Sequence, residues 1–206
     1  MRLKRKLAAL ACALSLLTGP VLAAGEGYPD VSAGDWFAPA VQEMTEKGVM
    51  TGLADGRFAP YAVVDRATVV TVLWRLAGAP AATVAKPFPD AVDTWYDVAA
   101  AWAKGRGIAT GYADGTFGGS DAVTREQLAA FLYRYACQMG QPLADGTLGL
   151  FSDAGAISGW AKTAVSHAVG AGILQGSDRG PLEPQGSATR AALAVMLQRM
   201  LIPAAG

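Results

Sequence analysis

Residues 95–125 read WYDVAAAWAKGRGIATGYADGTFGGSDAVTR, and the same pattern stands at 36–66 and 160–190. In each copy a Trp and an Arg lie 30 positions apart: Trp36 and Arg66, Trp95 and Arg125, Trp160 and Arg190. Glycines fall at fixed offsets behind each Trp. Gly48, Gly107 and Gly172 follow by 12 residues, Gly52, Gly111 and Gly176 by 16, and Gly56, Gly115 and Gly180 by 20. Between copies the spacing drifts, from 29 residues (Arg66 to Trp95) to 35 (Arg125 to Trp160). Fixed spacing inside a unit and loose spacing between units mark a structural repeat joined by variable linkers. A unit of about 50 residues is too small to bury much core alone. Three units sharing one core are therefore expected, not three domains.

Outward from that pattern, an aromatic residue two positions before an Asp opens every copy: Tyr28-Pro29-Asp30, Phe88-Pro89-Asp90 and Phe151-Ser152-Asp153. From Trp36 the apolar residues fall at 36, 37, 40, 41 and 44, which is helical spacing. Asp35 is the expected N-cap of that helix, and Gly48 the left-handed residue that ends it. The matching helices are expected over 95–104 and 160–170. The connector Thr51–Phe58 matches Thr110–Phe117, each with an Asp-Gly tight-turn pair. The third copy, Gln175–Leu182, keeps Gly176 and Gly180 but shifts the Asp by one and ends in Leu. Each copy closes with a second helix. Thr124 and Gln127 form a capping box for the middle one, and Asp65 and Thr189 cap the others. Leu128, Phe131, Leu132 and Tyr135 line one face of the middle helix. Stretches 77–87 and 136–150 read as linker loops. The expected fold is all-α: three helix–loop–helix repeats at 28–76, 88–137 and 151–201, together one unit over 28–201.

The N-terminus reads as a secretory signal over residues 1–24. Arg2, Lys4, Arg5 and Lys6 precede an apolar run of 11 residues, Leu7–Leu17, then Gly19-Pro20 and Val21-Leu22-Ala23, with cleavage expected after Ala23 or Ala24. The run is too short for a comfortable membrane span, so none is expected after cleavage. Cys12 sits too early in it for a lipoprotein site. Losing the four basic residues takes 17 Lys and Arg to 13 against 17 Asp and Glu, a net −4. No basic stripe remains, which argues against nucleic acid as a partner. Cys137 would be the one cysteine left, so no internal disulfide can form. With 52% hydrophobic residues the chain is not of the disordered class. The only histidine is His167. No Ser–His–Asp or zinc pattern stands out, nor any carboxylate pair, and the Asp-Gly loops lack the alternating oxygen ligands of an EF-hand. No catalytic residue, metal or cofactor is expected.

Aromatic-x-Asp, Trp, Gly-[Val/Ile]-x-x-Gly, Asp-Gly-x-Phe and Thr-Arg at a helix start, in three copies, resemble the S-layer homology module. The resemblance covers residues 28–201. It implies a pseudo-threefold helical arrangement with grooves between repeats. It also implies an exported, non-catalytic anchor at the cell wall, binding secondary cell-wall polysaccharide, commonly through pyruvate-ketal-bearing sugars. The ligand residues it implies are Asp30, Trp36 and Arg66 in the first repeat, Asp90, Trp95 and Arg125 in the second, and Asp153, Trp160 and Arg190 in the third. Gly52, Gly111 and Gly176 would let backbone approach the sugar. The family's Thr-Arg-Ala-Glu box is whole in no copy: it reads Asp65-Arg66-Ala67-Thr68, Thr124-Arg125-Glu126-Gln127 and Thr189-Arg190-Ala191-Ala192. The second repeat departs least and the third most.

Each residue type carries two readings. A cation at a helix N-terminus is locally unfavourable, yet Arg stands there three times. Either guanidinium and helix N-terminus together hold a carboxylate, or each Arg pairs with a repeat-opening Asp. The Trp residues either pack in the core or offer a ring face to a sugar. The Asp residues accept either sugar hydroxyls or loop amides. His167 at mid-helix and Cys137 after the middle second helix are read as ordinary helix-surface and small apolar positions. Two rival functions stand beside wall anchoring: a protein-assembly module using the same groove, and a wall-active hydrolase, which lacks visible machinery.

Overall fold

The computed structural model describes residues 27–141, 144–176 and 180–201. The expected signal segment lies outside these residues. Six α-helices stand among them and no sheet: α1 (Ala38–Glu46), α2 (Arg66–Leu76), α3 (Asp97–Gly105), α4 (Arg125–Gln138), α5 (Lys162–Gly170) and α6 (Arg190–Leu201).

The second helices begin where the caps require. The Asp65 carboxylate accepts from the Thr68 amide at 2.7 Å. Thr124 and Gln127 complete a reciprocal box, and the Thr189 hydroxyl accepts from the Ala192 amide. The first helices start two residues later than expected. Asp35 is not the cap: its carboxylate closes the preceding turn by accepting from the Ser32 amide at 2.8 Å. Phe37 holds the N-cap position of α1 without any side-chain bond. Gly48, Gly107 and Gly172 end these helices at positive φ, as expected. Helix α4 runs to Gln138, so Cys137 lies in its last turn, exposed, and not beyond it.

The helices do not pair as the sequence groups them. Extensive contacts join α2 to α3, α4 to α5 and α6 to α1. Each pair thus spans two repeats, and the α6–α1 pair closes the chain into a ring. Gln198 on α6 donates to Glu43 on α1 at 2.9 Å across that closure. The three segments that lead into the second helices meet one another. The Val64 amide donates to the Ala188 carbonyl, the Ala188 amide to the Val123 carbonyl, and the Val123 amide to the Val64 carbonyl, at 2.9, 2.8 and 3.0 Å. This closed cycle satisfies buried backbone groups that have no helix or sheet to join. Around it the core is filled by Phe37, Phe58, Phe117, Leu73, Leu128 and Leu132, all fully buried. The repeat-opening aromatics pack on the aromatics that follow the Asp-Gly turns, Tyr28 on Phe58 at 5.3 Å and Phe88 on Phe117 at 5.2 Å.

Candidate functional site

Each second helix opens with an Arg whose side chain reaches into the next repeat. Arg66 Nε donates to the Phe117 carbonyl at 2.8 Å. Arg125 Nε donates to the Leu182 carbonyl and Arg190 Nε to the Phe58 carbonyl, both at 2.7 Å. Phe58, Phe117 and Leu182 occupy the same place in their repeats, so the three bonds run one way round the ring. A second nitrogen, Nη2, bonds the Gln175 carbonyl from Arg125 and the Thr51 carbonyl from Arg190.

The opposite end of each of these turns is held by the repeat's own Asp. Asp30 accepts from the Phe58 and Ala59 amides, Asp90 from Phe117 and Gly118, and Asp153 from Leu182 and Glu183. The expected Arg–Asp pair is therefore not made. Arg and Asp grip the carbonyl and the amide of one residue, with charge-assisted bonds at both ends. The helix N-termini are also engaged. The Arg66 and Ala67 amides donate to the Asp121 and Gly119 carbonyls, and the Arg125 and Glu126 amides to those of Gly186 and Pro184. The Arg190 and Ala191 amides donate to the Ala62 and Pro60 carbonyls. The picture of a guanidinium and a bare helix terminus jointly holding an anion is corrected on this point. Carbonyls from the next repeat already neutralise the helix end, and they offset the cost of placing Arg there.

Burial pushes all three guanidiniums below the usual arginine range. Tyr112 and Asp121 oppose this at Arg66, Glu183 and Asp153 at Arg125, and Tyr28 and Asp30 at Arg190. Arg66 is only 8% exposed, whereas Arg125 and Arg190 are half-buried. At Asp90 burial works against the charge, but the Phe117 and Gly118 amides together leave its carboxyl below the usual range. The sign follows. Its contribution is complete above the unfolded value of about 4 and is lost as pH falls through the lower, folded one. Asp90→Asn should lower the unfolding free energy by about 1 kcal/mol at neutral pH, because Asn offers one acceptor oxygen to two amides and water screens the exposed carboxylate. Urea melts of the two proteins should converge as pH drops through that window; a constant gap down to low pH would contradict the assignment.

The three Trp side chains are exposed, at 64, 67 and 57% for Trp36, Trp95 and Trp160. Core packing is thus not their role. The next residue turns inward instead: Phe37 and Ala161 are fully buried and Tyr96 is half-buried. The glycines have an internal reason to lack a side chain. A Cβ on Gly52 would meet the Tyr28 ring and the Arg57 carbonyl, and one on Gly111 the Phe88 ring and the Thr116 carbonyl. One on Gly176 would meet the carbonyls of Gly180 and Pro181.

Grouping by repeat does not survive in space. An open cleft of about 430 Å³ is lined by Trp36 from the first repeat, Arg125 from the second, and Gln175, Gly176, Glu183 and Arg199 from the third. Arg199 was not singled out in the sequence, yet its Nη1 donates to the Ile173 carbonyl at 3.4 Å, as Arg134 does to Ile108 at 3.5 Å. The signal was available: Arg75, Arg134 and Arg199 each stand 9 residues after a helix-opening Arg. Glu126 was also missed. It is 2% exposed and accepts from the Ser158 amide at 2.9 Å, tying α4 to the turn before α5. His167 lies in the last turn of α5, not at its middle, stacked on the Tyr133 ring at 4.9 Å with its Nδ1 3.4 Å from Asp145. Among the described residues no group of His, Cys, Asp and Glu is placed to hold a metal, and no helix is long and apolar enough to cross a membrane.

A ring of three helical repeats, with an exposed Trp, an inter-repeat Arg and a close-packed Gly converging from different copies, defines a tandem-repeat module. The chain belongs to the S-layer homology domain family, whose model matches residues 27–70, 87–129 and 150–194. It is similar to an S-layer protein of Bacillus anthracis, 27% identical over 176 residues, covering 85% of this chain and 20% of that protein. An endoglucanase of Bacillus sp. (strain KSM-635) is 29% identical over 84% of this chain and 18% of the enzyme. An amylopullulanase of Thermoanaerobacterium thermosulfurigenes is 29% identical over 81% of this chain and 9% of the enzyme. The chain spans about a fifth or less of the length of these curated relatives.

Proposed function

We propose that this chain is a non-catalytic cell-wall anchoring module, holding an anionic, pyruvate-ketal-bearing secondary cell-wall polysaccharide in the clefts between repeats. The observation that carries this is the Trp36–Arg125–Gly176 cleft. An exposed indole offers a flat face to a sugar ring. Two guanidiniums, Arg125 and Arg199, line the same cavity and suit a carboxylate. By the ring's repetition, Trp95, Arg190 and Gly52 form the second such set, and Trp160, Arg66 and Gly111 the third. Asp30, Asp90 and Asp153 serve these sites indirectly, by fixing the turns on which the clefts are built.

The relatives support an anchoring role. One stretch is shared by a surface-layer protein and by two enzymes with different names, and it makes up a fifth or less of each. A task common to all three cannot be one enzyme's chemistry, whereas attachment at the cell surface suits each. The chain would then act outside the cell, at the wall, after removal of its signal. The test is retention on purified wall polysaccharide before and after mild-acid removal of the ketal. Binding is expected to the intact polymer and to be lost from the treated one. Equal retention on both would rule out the Arg–carboxylate mechanism.

A further inference from the structure

The three clefts differ, and the difference sits at three positions of the second repeat. The Tyr112 ring lies over the Arg66 guanidinium, its centroid 4.8 Å from the central carbon. Its hydroxyl donates to Asp121 Oδ2 at 2.8 Å. Tyr112 is 43% exposed while Arg66 beneath it is 8% exposed, so the phenol forms the outer layer. Phe117 and Phe131 pack on the same guanidinium from within, at 4.9 and 5.4 Å. Gly118 makes the arrangement possible. It sits at φ +67°, and a Cβ there would run into both the Tyr112 ring and the Asp121 carboxylate.

The other copies lack all three parts. Where the second repeat has Tyr112, Gly118 and Asp121, the first has Leu53, Ala59 and Ala62, and the third has Ser177, Glu183 and Gly186. The first set holds neither a hydroxyl nor a carboxylate, and the third has a Ser and a Glu but no aromatic ring to lie over a guanidinium. The outcome at the arginines matches. Arg190 stacks on Phe58 and stays half-buried, and Arg125 opens on the cleft.

We infer that Tyr112 and Asp121 form a latch that shuts the Arg66 cleft, so that an anionic glycan occupies only the clefts headed by Arg125 and Arg190. To reach Arg66 a ligand carboxylate would have to break the phenol–carboxylate bond, displace a ring stacked on the cation and come to rest beside the negative charge of Asp121. The latch itself stands on geometry. Its consequence for occupancy rests on the glycan reading above.

The experiment has two readouts. In the first, phenylglyoxal modifies accessible guanidiniums and peptide mass spectrometry gives a rate for each. In the intact chain Arg66 should react about tenfold or more slowly than exposed Arg106, through local opening alone. In the Tyr112→Ser, Asp121→Ala variant it should approach the rate of Arg190. Thermal melts check that the variant folds, which the exposure of both residues favours. In the second, calorimetry with a pyruvate-ketal hexoside should count one more equivalent bound by the variant than by the intact chain. An Arg66 that reacts in the intact chain as fast as Arg190 overturns the latch. Unmasked Arg66 without the extra equivalent, in a chain that does bind the hexoside, overturns the occupancy claim. Unmasked Arg66 with no hexoside bound by either protein upholds the latch and refutes the glycan reading.

Discussion

Arg66→Ala is expected to lower the unfolding free energy by about 3–5 kcal/mol, the largest loss of any single strut in the ring. Arg66 is the least exposed of the three arginines as a whole side chain. Its removal strands the carbonyl of fully buried Phe117 without its side-chain donor. It also empties the space between Tyr112, Phe117 and Phe131. For a chain of this length the loss corresponds to roughly 10 °C in melting temperature. Arg66→Lys should recover little. An ammonium cannot both aim a fixed donor at one carbonyl and stack flat between aromatic rings. Arg125→Ala and Arg190→Ala should cost less, because water reaches those half-buried groups and can replace part of what is lost. Urea denaturation followed by circular dichroism ranks the three. An Arg66→Ala chain within 1 kcal/mol of the intact one would contradict the strut assignment.

That ranking could not be read from the sequence, and the reason is physical. The repeat, its second helices and their caps were legible because they are encoded locally. Thr124 and Gln127 lie three residues apart and bond each other's backbone. The left-handed glycines behind the first helices were legible for the same reason. The partners of the arginines were not. They are backbone carbonyls 51, 57 and 132 positions away, and a carbonyl carries no residue type to recognise. The helix pairing was hidden likewise. Helical periodicity says that α1 has an apolar face but not that α6, at the other end of the chain, covers it. At Trp36-Phe37 two adjacent aromatics compete for one inward position, and periodicity allows either. The copies themselves held a hint. The inner residue varies among Phe37, Tyr96 and Ala161 while the Trp before it does not. A site fixed across copies beside a variable core position is better explained by exposure to a common ligand than by packing.

The strongest effect on ligand binding is expected at Arg125, with Trp36 as its control. Arg125→Lys keeps a positive charge in the cleft but loses the fork that can meet a carboxylate with two parallel bonds. Affinity at that cleft should fall by about 10–100-fold. Trp36→Ala should cost about tenfold, from the lost ring face, with little change in stability, because the side chain is largely in solvent and touches Phe37 only edge-on at 5.4 Å. The pair also decides how the site is assembled. If each repeat carried its own site, Trp36 would serve Arg66, and the two substitutions would weaken different binding events. With the Trp from the first repeat and the Arg from the second lining one cavity, they weaken the same one. Calorimetry with a pyruvate-ketal hexoside should then lose a single equivalent in Trp36→Ala, the same one in Arg125→Lys, and no further equivalent in the double variant. Loss of two separate equivalents in the double variant would mean that the cleft is not the unit of recognition.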